Sequence, residues 1–491
     1  MTDSPAVRIP LDPHEQPILD RLLSIRTELE LLKQDKSTYV KSQDVINLYN
    51  QVVDQVELLN GIRTQKRHEQ NRVDTVLDDC FQLISLAYLT IGKNNEAPAV
   101  YSAVSTIKRL LEHLREAAFF SPKDLESISS RLQNYREAVE RGRETHSPHL
   151  LLLVEARIDI CQDILSELQD KLSQLDEEQG AKYEKLVSIL RSLAGCSTKS
   201  KFPAAEVDDL YKQLKEIEAS LDKDSRPTAK SPSIDELAQS LQIQMRTQSP
   251  APSGQRLVKD LLTRCFLWVE LVKQKQGQIN ENFRDTYEKL RDIRNQLERL
   301  TLTQAWSLRE TDLYSFQRQL DRVDESRVDG NFLDAEGRPA DLHAQRTLLY
   351  LLRKSYALIY HLIISSAAVS EPLLPIYNQL TTLRRCLVEV KKSGGVSSPR
   401  ELYPYSMKLN SIDNMRIDGK FMVGDEIPDG QANVIELLEE CFELAYELRV
   451  QAEDESEEER KDEKEEGEDE KEDDTEDKSD DEDGSLAMKA K

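Results

Sequence analysis

The sequence predicts an all-α protein: five related three-helix units packed as an elongated bundle or shallow solenoid, followed by a disordered acidic C-terminal tail. Three observations carry this reading. Glycine (16) and proline (18) are scarce among 491 residues, against usual shares of about 7% and 5%, and alternating β-branched runs are hard to find. Apolar residues recur three, six and ten positions after an aligned residue in five separate segments, which lines one face of a 3.6-residue helix. The last two segments lead into nearly the same words, Val323-Asp324-Glu325-Ser326-Arg327-Val328-Asp329-Gly330-Asn331-Phe332 and Ile412-Asp413-Asn414-Met415-Arg416-Ile417-Asp418-Gly419-Lys420-Phe421. A repeated helical phrase builds surface, because each copy buries its apolar stripe only against its neighbours.

Taken in order, residues 1–14 are expected to lack order, and units follow at 15–93, 96–176, 178–280, 281–369 and 371–451. Residues 15–222 therefore hold the first two units and most of the third, and 253–451 hold the rest. The first helix of each unit carries the stripe: Leu19, Leu22, Ile25, Leu29; Tyr101, Val104, Ile107, Leu111; Tyr183, Leu186, Ile189, Leu193; Tyr287, Leu290, Ile293, Leu297; and Tyr377, Leu380, Leu383, Leu387. The second helix opens in two units as Ser121-Pro122-Lys123-Asp124 and Ser398-Pro399-Arg400-Glu401. Serine accepts from first-turn amides, proline suits the first helical position, and a carboxylate three residues on favours the positive helix end. Ser307 with Glu310 follows the same logic. The third helix places a small residue among apolar ones, and cysteine takes that place four times, as Cys80, Cys161, Cys265 and Cys441. They read as buried small hydrophobes.

Between 223 and 252 the chain turns to Ser, Pro, Gln and Lys and cannot bury enough apolar surface to order itself. It reads as an inserted loop, with a hinge between two halves as the alternative. From 452 onward, Glu, Asp and Lys without apolar periodicity predict a disordered tail.

Charge and composition exclude several classes. The net charge is −25, and residues 453–491 hold 22 acidic and 7 basic side chains, a net of −15 that leaves −10 elsewhere. An acidic body argues against direct nucleic-acid binding, which needs a basic face. The longest apolar run, Ser355–Val369, is too short to span a bilayer and reads as a buried core helix. Six cysteines without a secretory leader describe a reduced compartment, cytoplasmic with a nuclear location also open.

No stretch carries a catalytic, metal or nucleotide signature. His146-Ser147-Pro148-His149 lacks further ligands at zinc spacing, and Gly394-Gly395 lacks the Gly-Lys-Ser/Thr end of a phosphate loop. The duplicated Arg-x-Asp-Gly-x-Phe element is the sharpest local signal. It reads as a helix exit in which glycine takes positive φ and phenylalanine folds back to seal the bundle. Its functional alternative is a paired partner surface made by Arg327, Asp329, Phe332, Arg416, Asp418 and Phe421; calcium is disfavoured by the ligand spacing. Arg26, Lys108, Arg294 and Arg384 recur at one position, either lining a groove or snorkelling over apolar surface. Ser231 and Ser249 in the insert, with Ser456, Thr475 and Ser479 in the tail, are candidate phosphorylation sites, where added charge orders or releases a segment.

The opening Leu19–Lys33, with Asp35–Tyr39, Asp44–Tyr49 and the Ser-Pro-x-Asp/Glu-Leu helix starts, resembles a family of uncharacterised proteins found in fungi over residues 12–450. The resemblance implies a helical intracellular protein of cytoplasm and nucleus, with no catalytic residues assigned. The expected function is a non-enzymatic scaffold or adaptor for other proteins, with no cofactor. The alternative is an acidic-tail chaperone or shield for basic nuclear proteins.

Overall fold

The computed structural model describes residues 8–10, 12–63, 70–199, 201–222, 254–303, 308–424 and 426–473. Among them are fifteen α-helices and one two-residue strand pair, so the chain is all-α. It divides into two compact units, Met1–Glu371 and Pro372–Lys491. The division does not fall at the insert, which lies outside the described residues.

The first unit contains α1 (Gln16–Gln34), α2 (Ser42–Arg63), α3 (Arg72–Thr90), α4 (Ala97–Ala117), α5 (Pro122–Arg141), α6 (Pro148–Leu172), α7 (Glu177–Cys196), α8 (Ala204–Asp222), α9 (Gly254–Lys275), α10 (Arg284–Thr303), α11 (Leu313–Glu325) and α12 (Leu342–Ile364). Helices α1, α4, α7 and α10 each pack along the helix two places later, α3, α6, α9 and α12. Helices α8 and α9 pack on one another and on α7. At the centre, α4 packs on α3, α5, α6 and α12. Its first half, residues 97–107, is apolar or small all round, which is the sequence signature of an enclosed segment, and charges enter only from Lys108 onward. Its small residues let α3 come close enough for the Ser85 hydroxyl to donate to the Ala99 carbonyl at 2.7 Å.

The apolar stripes of α1, α4, α7 and α10 are buried throughout. The cysteines show why a small residue is needed opposite them. The thiols of Cys80, Cys161 and Cys265 are fully buried and point at the carbonyls of Leu22, Val104 and Leu186, at 3.6, 3.8 and 3.7 Å. These acceptors occupy one register position on three different helices. Burial pushes the Cys161 and Cys265 thiols up to about 12, so both stay protonated donors.

Helix starts follow the expected chemistry at Ser121, where hydroxyl and Asp124 carboxylate form a reciprocal capping box. Ser307 lies outside the described residues, and Glu310 serves a different purpose. It is buried and accepts from Thr90 at 3.2 Å and Ser366 at 2.8 Å. Beside it, buried Arg309 donates to the carbonyls of Leu32, Asp35 and Thr38 and closes the C-terminal end of α1. Order also begins earlier than residue 15. The Arg8 carbonyl accepts from the Arg72 amide at 2.9 Å, and Arg63 forks onto Glu15 at 2.9 Å.

The second unit contains α13 (Leu374–Lys392), α14 (Tyr403–Asp413), strands β1 (Arg416–Ile417) and β2 (Lys420–Phe421), and α15 (Gln431–Asp473). Leu380 and Leu387 are buried on α13, while Tyr377 and Leu383 are only half covered. The Cys441 thiol repeats the contact seen above, donating to the Leu380 carbonyl at 3.5 Å. Ser398 caps a short 3-10 turn before α14. Helix α15 runs to Asp473, past the expected start of the acidic tail at 452. Residues 474–491 lie outside the described residues. No described helix is long and apolar enough to cross a membrane.

Candidate functional site

The first unit holds a polar cleft of about 550 Å³ between α3, α4, α6 and α11. Four helices deliver its charges. On α3, Asp78 and Asp79 interrupt an apolar run, and being adjacent they face different neighbours. Asp78 faces α4 and α6, where its Oδ1 accepts from Tyr101 Oη at 2.5 Å and from Arg157 Nη2 at 2.6 Å. Arg157 also donates to Ser105 at 2.7 Å, and its guanidinium lies 4.4 Å from the Tyr101 ring centre. Asp79 is 1% exposed and sits between Arg26 of α1 and Arg318 of α11, each at 3.1 Å.

On α11, Gln317, Arg318 and Asp321 line the same recess. Asp321 Oδ1 accepts from Tyr356 Oη at 2.6 Å, and Arg109 of α4 lies 3.9 Å away. Burial raises the Asp321 carboxyl to about 6, against the pull of Tyr356 and Arg109. One turn on, Asp324 is also buried, yet His113, Arg109 and Arg327 hold it well below the usual carboxylate range. Those partners lie at 3.1, 3.4 and 2.8 Å. Two carboxylates on one helix thus sit in opposite electrostatic surroundings.

These ions largely fix one another. Among the residues lining the cleft, the side-chain oxygens of Gln82 and Gln317 are buried without a hydrogen-bond partner, and beside it so are Asp79 Oδ1 and Arg26 Nε. Gln317 spends its amide hydrogens on Ser102 and Thr106, at 2.9 and 3.2 Å, and Gln82 donates to Asp78 at 2.8 Å. Both oxygens belong to residues lining the cleft. An unpaired buried acceptor is costly.

The duplicated element forms a hairpin in each unit. Asp329 and Gly330 have φ of 49° and 78°, and Asp418 and Gly419 have 50° and 77°, the geometry of a two-residue Asp-Gly hairpin turn. Val328 bridges Asn331, and Arg416 and Ile417 pair with Phe421 and Lys420. Positive φ at glycine and a sealing phenylalanine were expected; the strand pairing was not. Phe332 and Phe421 are 5% and 1% exposed. A glutamine from the following helix clasps each backbone. Gln345 accepts from the Phe332 amide at 2.9 Å and donates to its carbonyl at 3.0 Å. Gln431 does the same at Phe421, at 3.0 and 2.8 Å. Of the six residues expected to form a partner surface, only the turn aspartates Asp329 and Asp418 project freely. Arg327 is held by Asp324, Glu116 and the Gly330 carbonyl, and so joins the cleft's charge network. Arg416 pairs with Asp413.

The recurring basic residues do not line one groove. Lys108 lines the cleft beside Glu112 at 3.4 Å, Arg26 is held by Asp79, Arg294 faces Glu298 at 3.7 Å, and Arg384 pairs with Glu440 at 2.6 Å in the other unit. Ser231, Ser249, Thr475 and Ser479 lie outside the described residues, and Ser456 falls within α15. Among the described residues, no group of three His, Cys, Asp or Glu side chains is arranged to hold a metal ion.

A family described as a protein of unknown function (DUF2408) matches residues 172–310 and 366–471. A CUB1 family protein of Schizosaccharomyces pombe is 38% identical over 453 residues, covering 90% of this chain and 94% of that protein. Cu(2+) suppressing and bleomycin sensitive protein 1 of Saccharomyces cerevisiae is 35% identical over 492 residues, covering 88% of this chain and 89% of that protein. No solved structure matches the chain.

Proposed function

The chain belongs to the CUB1 family, and on that premise we propose that it is a non-enzymatic helical scaffold of cytoplasm and nucleus that receives a polar segment of a partner protein in the cleft. The observation that carries this reading is the pair of buried, unpartnered oxygens on Gln82 and Gln317, set among ions that already neutralise one another. Paired ions fix shape and register more than they add affinity, while open acceptors reward a guest with matching donors. A volume of about 550 Å³ takes several side chains or a short chain segment.

One relative is named for Cu(2+) suppression and bleomycin sensitivity; we carry over the expectation that loss of this protein alters growth in copper and in bleomycin.

The test compares three forms of the full chain in affinity capture. Lys108→Glu with Glu325→Lys inverts charge at the cleft mouth, and deletion of 453–491, just past the buried Ala452, removes a net −15 of the chain's −25. The scaffold reading expects partners to be lost with the first and kept with the second. The reverse outcome favours the acidic-tail shield, and retention by both sinks the cleft as the docking site.

A further inference from the structure

A second cavity in the first unit has the opposite electrostatic character. It measures about 60 Å³, lies among α4, α7, α9 and α12, and is walled by apolar side chains such as Trp268 and Leu349. Three arginines nevertheless line it: Arg264 from α9, with Arg346 and Arg353 two turns apart on one face of α12.

None of the three has a carboxylate partner among the described residues. Arg264 donates to the carbonyls of Ala117 and Ala118 at 2.6 and 3.0 Å, at the end of α4 where Ala118 has φ of 52°. That is a helix cap, but it supplies no counter-charge. Arg353 is 8% exposed; its guanidinium lies 4.5 Å from the Phe119 ring centre, and its Nη1 has no hydrogen-bond partner. Arg346 makes no ion pair within the described residues. The acids that act on Arg346 and Arg353 at longer range are held by other arginines, Glu116 by Arg327 and Asp124 by Arg191, while Asp260, one turn before Arg264 on α9, acts on Arg264 without bonding to it. Burial, with repulsion from neighbouring arginines, pushes both Arg346 and Arg353 down to about 10.

An unpaired buried cation costs free energy that folding alone gives no reason to accept. Arg353 is such a cation, and Arg264 and Arg346, half-buried on the same cavity, add to its positive charge, which marks a place where a counter-charge arrives from outside. A planar guanidinium recognises carboxylate and phosphate oxygens through forked donors, and the indole and leucine wall rewards carbon.

We propose that this cavity binds the anionic head of a small amphipathic molecule, a carboxylate or phosphate monoester carrying an apolar chain, with the head between Arg346 and Arg353 and the first carbons against Trp268. The space is well under the ~150 Å³ that holds benzene. It therefore admits the head and little more, and the chain leaves through the mouth. A free acid and a lipid headgroup share this chemistry.

The experiment uses the full chain carrying Trp306→Phe, so that emission reports on Trp268, together with thermal unfolding. Octanoate and octyl phosphate are compared with octanol, inorganic phosphate, and vesicles of phosphatidylcholine with or without phosphatidic acid. The proposal expects a saturable change in emission and a higher Tm with at least one of the amphipathic anions. Octanol and inorganic phosphate should bind at least ten-fold more weakly. Arg353→Met and Arg346→Met should each weaken binding at least ten-fold, and unliganded Arg346→Met should melt above the parent because a repulsive charge is gone. A merely structural arginine would do the opposite. If Arg353→Met does not fold, Arg346→Met at its half-exposed position carries the comparison. Co-sedimentation with acidic vesicles alone assigns a lipid source, and binding only of soluble anions assigns a free acid; each supports the site. No saturable response to either amphipathic anion, equal binding of octanol, or unchanged affinity in the folded variants overturns it.

Discussion

Replacing Gln345 by leucine should cost the first unit about 2 kcal/mol. The change removes two neutral hydrogen bonds, from the Phe332 amide and to the Phe332 carbonyl, each worth about 1 kcal/mol net. Phe332 is 5% exposed with the Arg327 guanidinium 5.0 Å from its ring centre, so its anchor matters beyond the bonds themselves. Gln431→Leu should cost the second unit more, about 3 kcal/mol by the same arithmetic, because Gln431 also donates to the Pro428 carbonyl at 3.1 Å. A glutamate at 345 sharpens the test. Ionised, it accepts from the amide but turns its second oxygen on the Phe332 carbonyl; protonated, it matches glutamine. The neutral form is favoured in the folded state, so this carboxyl's folded pKa lies above its unfolded value. Its stabilising contribution is full below the unfolded value and is lost as pH rises through the folded one. Denaturant unfolding across pH, with hydrogen exchange at the Phe332 and Phe421 amides, reads all three variants. A cost under about 0.5 kcal/mol for Gln345→Leu, where two neutral hydrogen bonds imply ~2 kcal/mol, or a pH-independent deficit in Gln345→Glu, would refute the clasp.

Cysteine labelling tests the shared register of the core. Cys386 is exposed while Cys80, Cys161, Cys196, Cys265 and Cys441 are buried, so native protein at pH 8 should take one iodoacetamide adduct, at Cys386, by intact-mass spectrometry; rapid labelling at Cys80 or Cys265 would contradict the packing. His343 gives a pH test. It is 1% exposed, its ring stacks on Trp268 at 5.6 Å, and burial lowers it to about 4. Between about pH 6.5 and 4 the unfolded chain takes a proton that the native state refuses, so stability falls over that window, by about 3 kcal/mol in all. His343→Phe should remove that part of the pH dependence in unfolding experiments at pH 7.5 and 4.5. Identical pH profiles for parent and variant would show that the ring protonates without penalty.

The helices and their buried faces were legible because 3.6-residue spacing survives even where sequence identity between segments does not. The cysteine position was legible for the same reason, as a small residue at one register point. The hairpins were missed because the duplicated element was read as a helix exit or a partner surface, although Asp-Gly is a two-residue hairpin signal. The cleft was harder to see. Its pairs join Asp78 to Arg157 and Asp79 to Arg318, residues far apart in the chain that meet only once α3 lies against α4 and α11. Read singly, each is one charge on an amphipathic helix. The warning was Asp78-Asp79 inside the apolar run of α3, where an ion needs a partner. Likewise the arginine cavity gathers Arg264, Arg346 and Arg353 from two helices, and no spacing rule connects the pair on α12 to the third.

The scaffold account is tested most directly by crosslinking mass spectrometry on native extracts, with Lys108 as the reporter because its amine lines the cleft. The account predicts crosslinks from Lys108 to one segment of a partner protein, lost when Gln82 and Gln317 are both changed to leucine in a protein that still folds. Partner crosslinks that avoid Lys108, or that persist unchanged in the double variant, would contradict it.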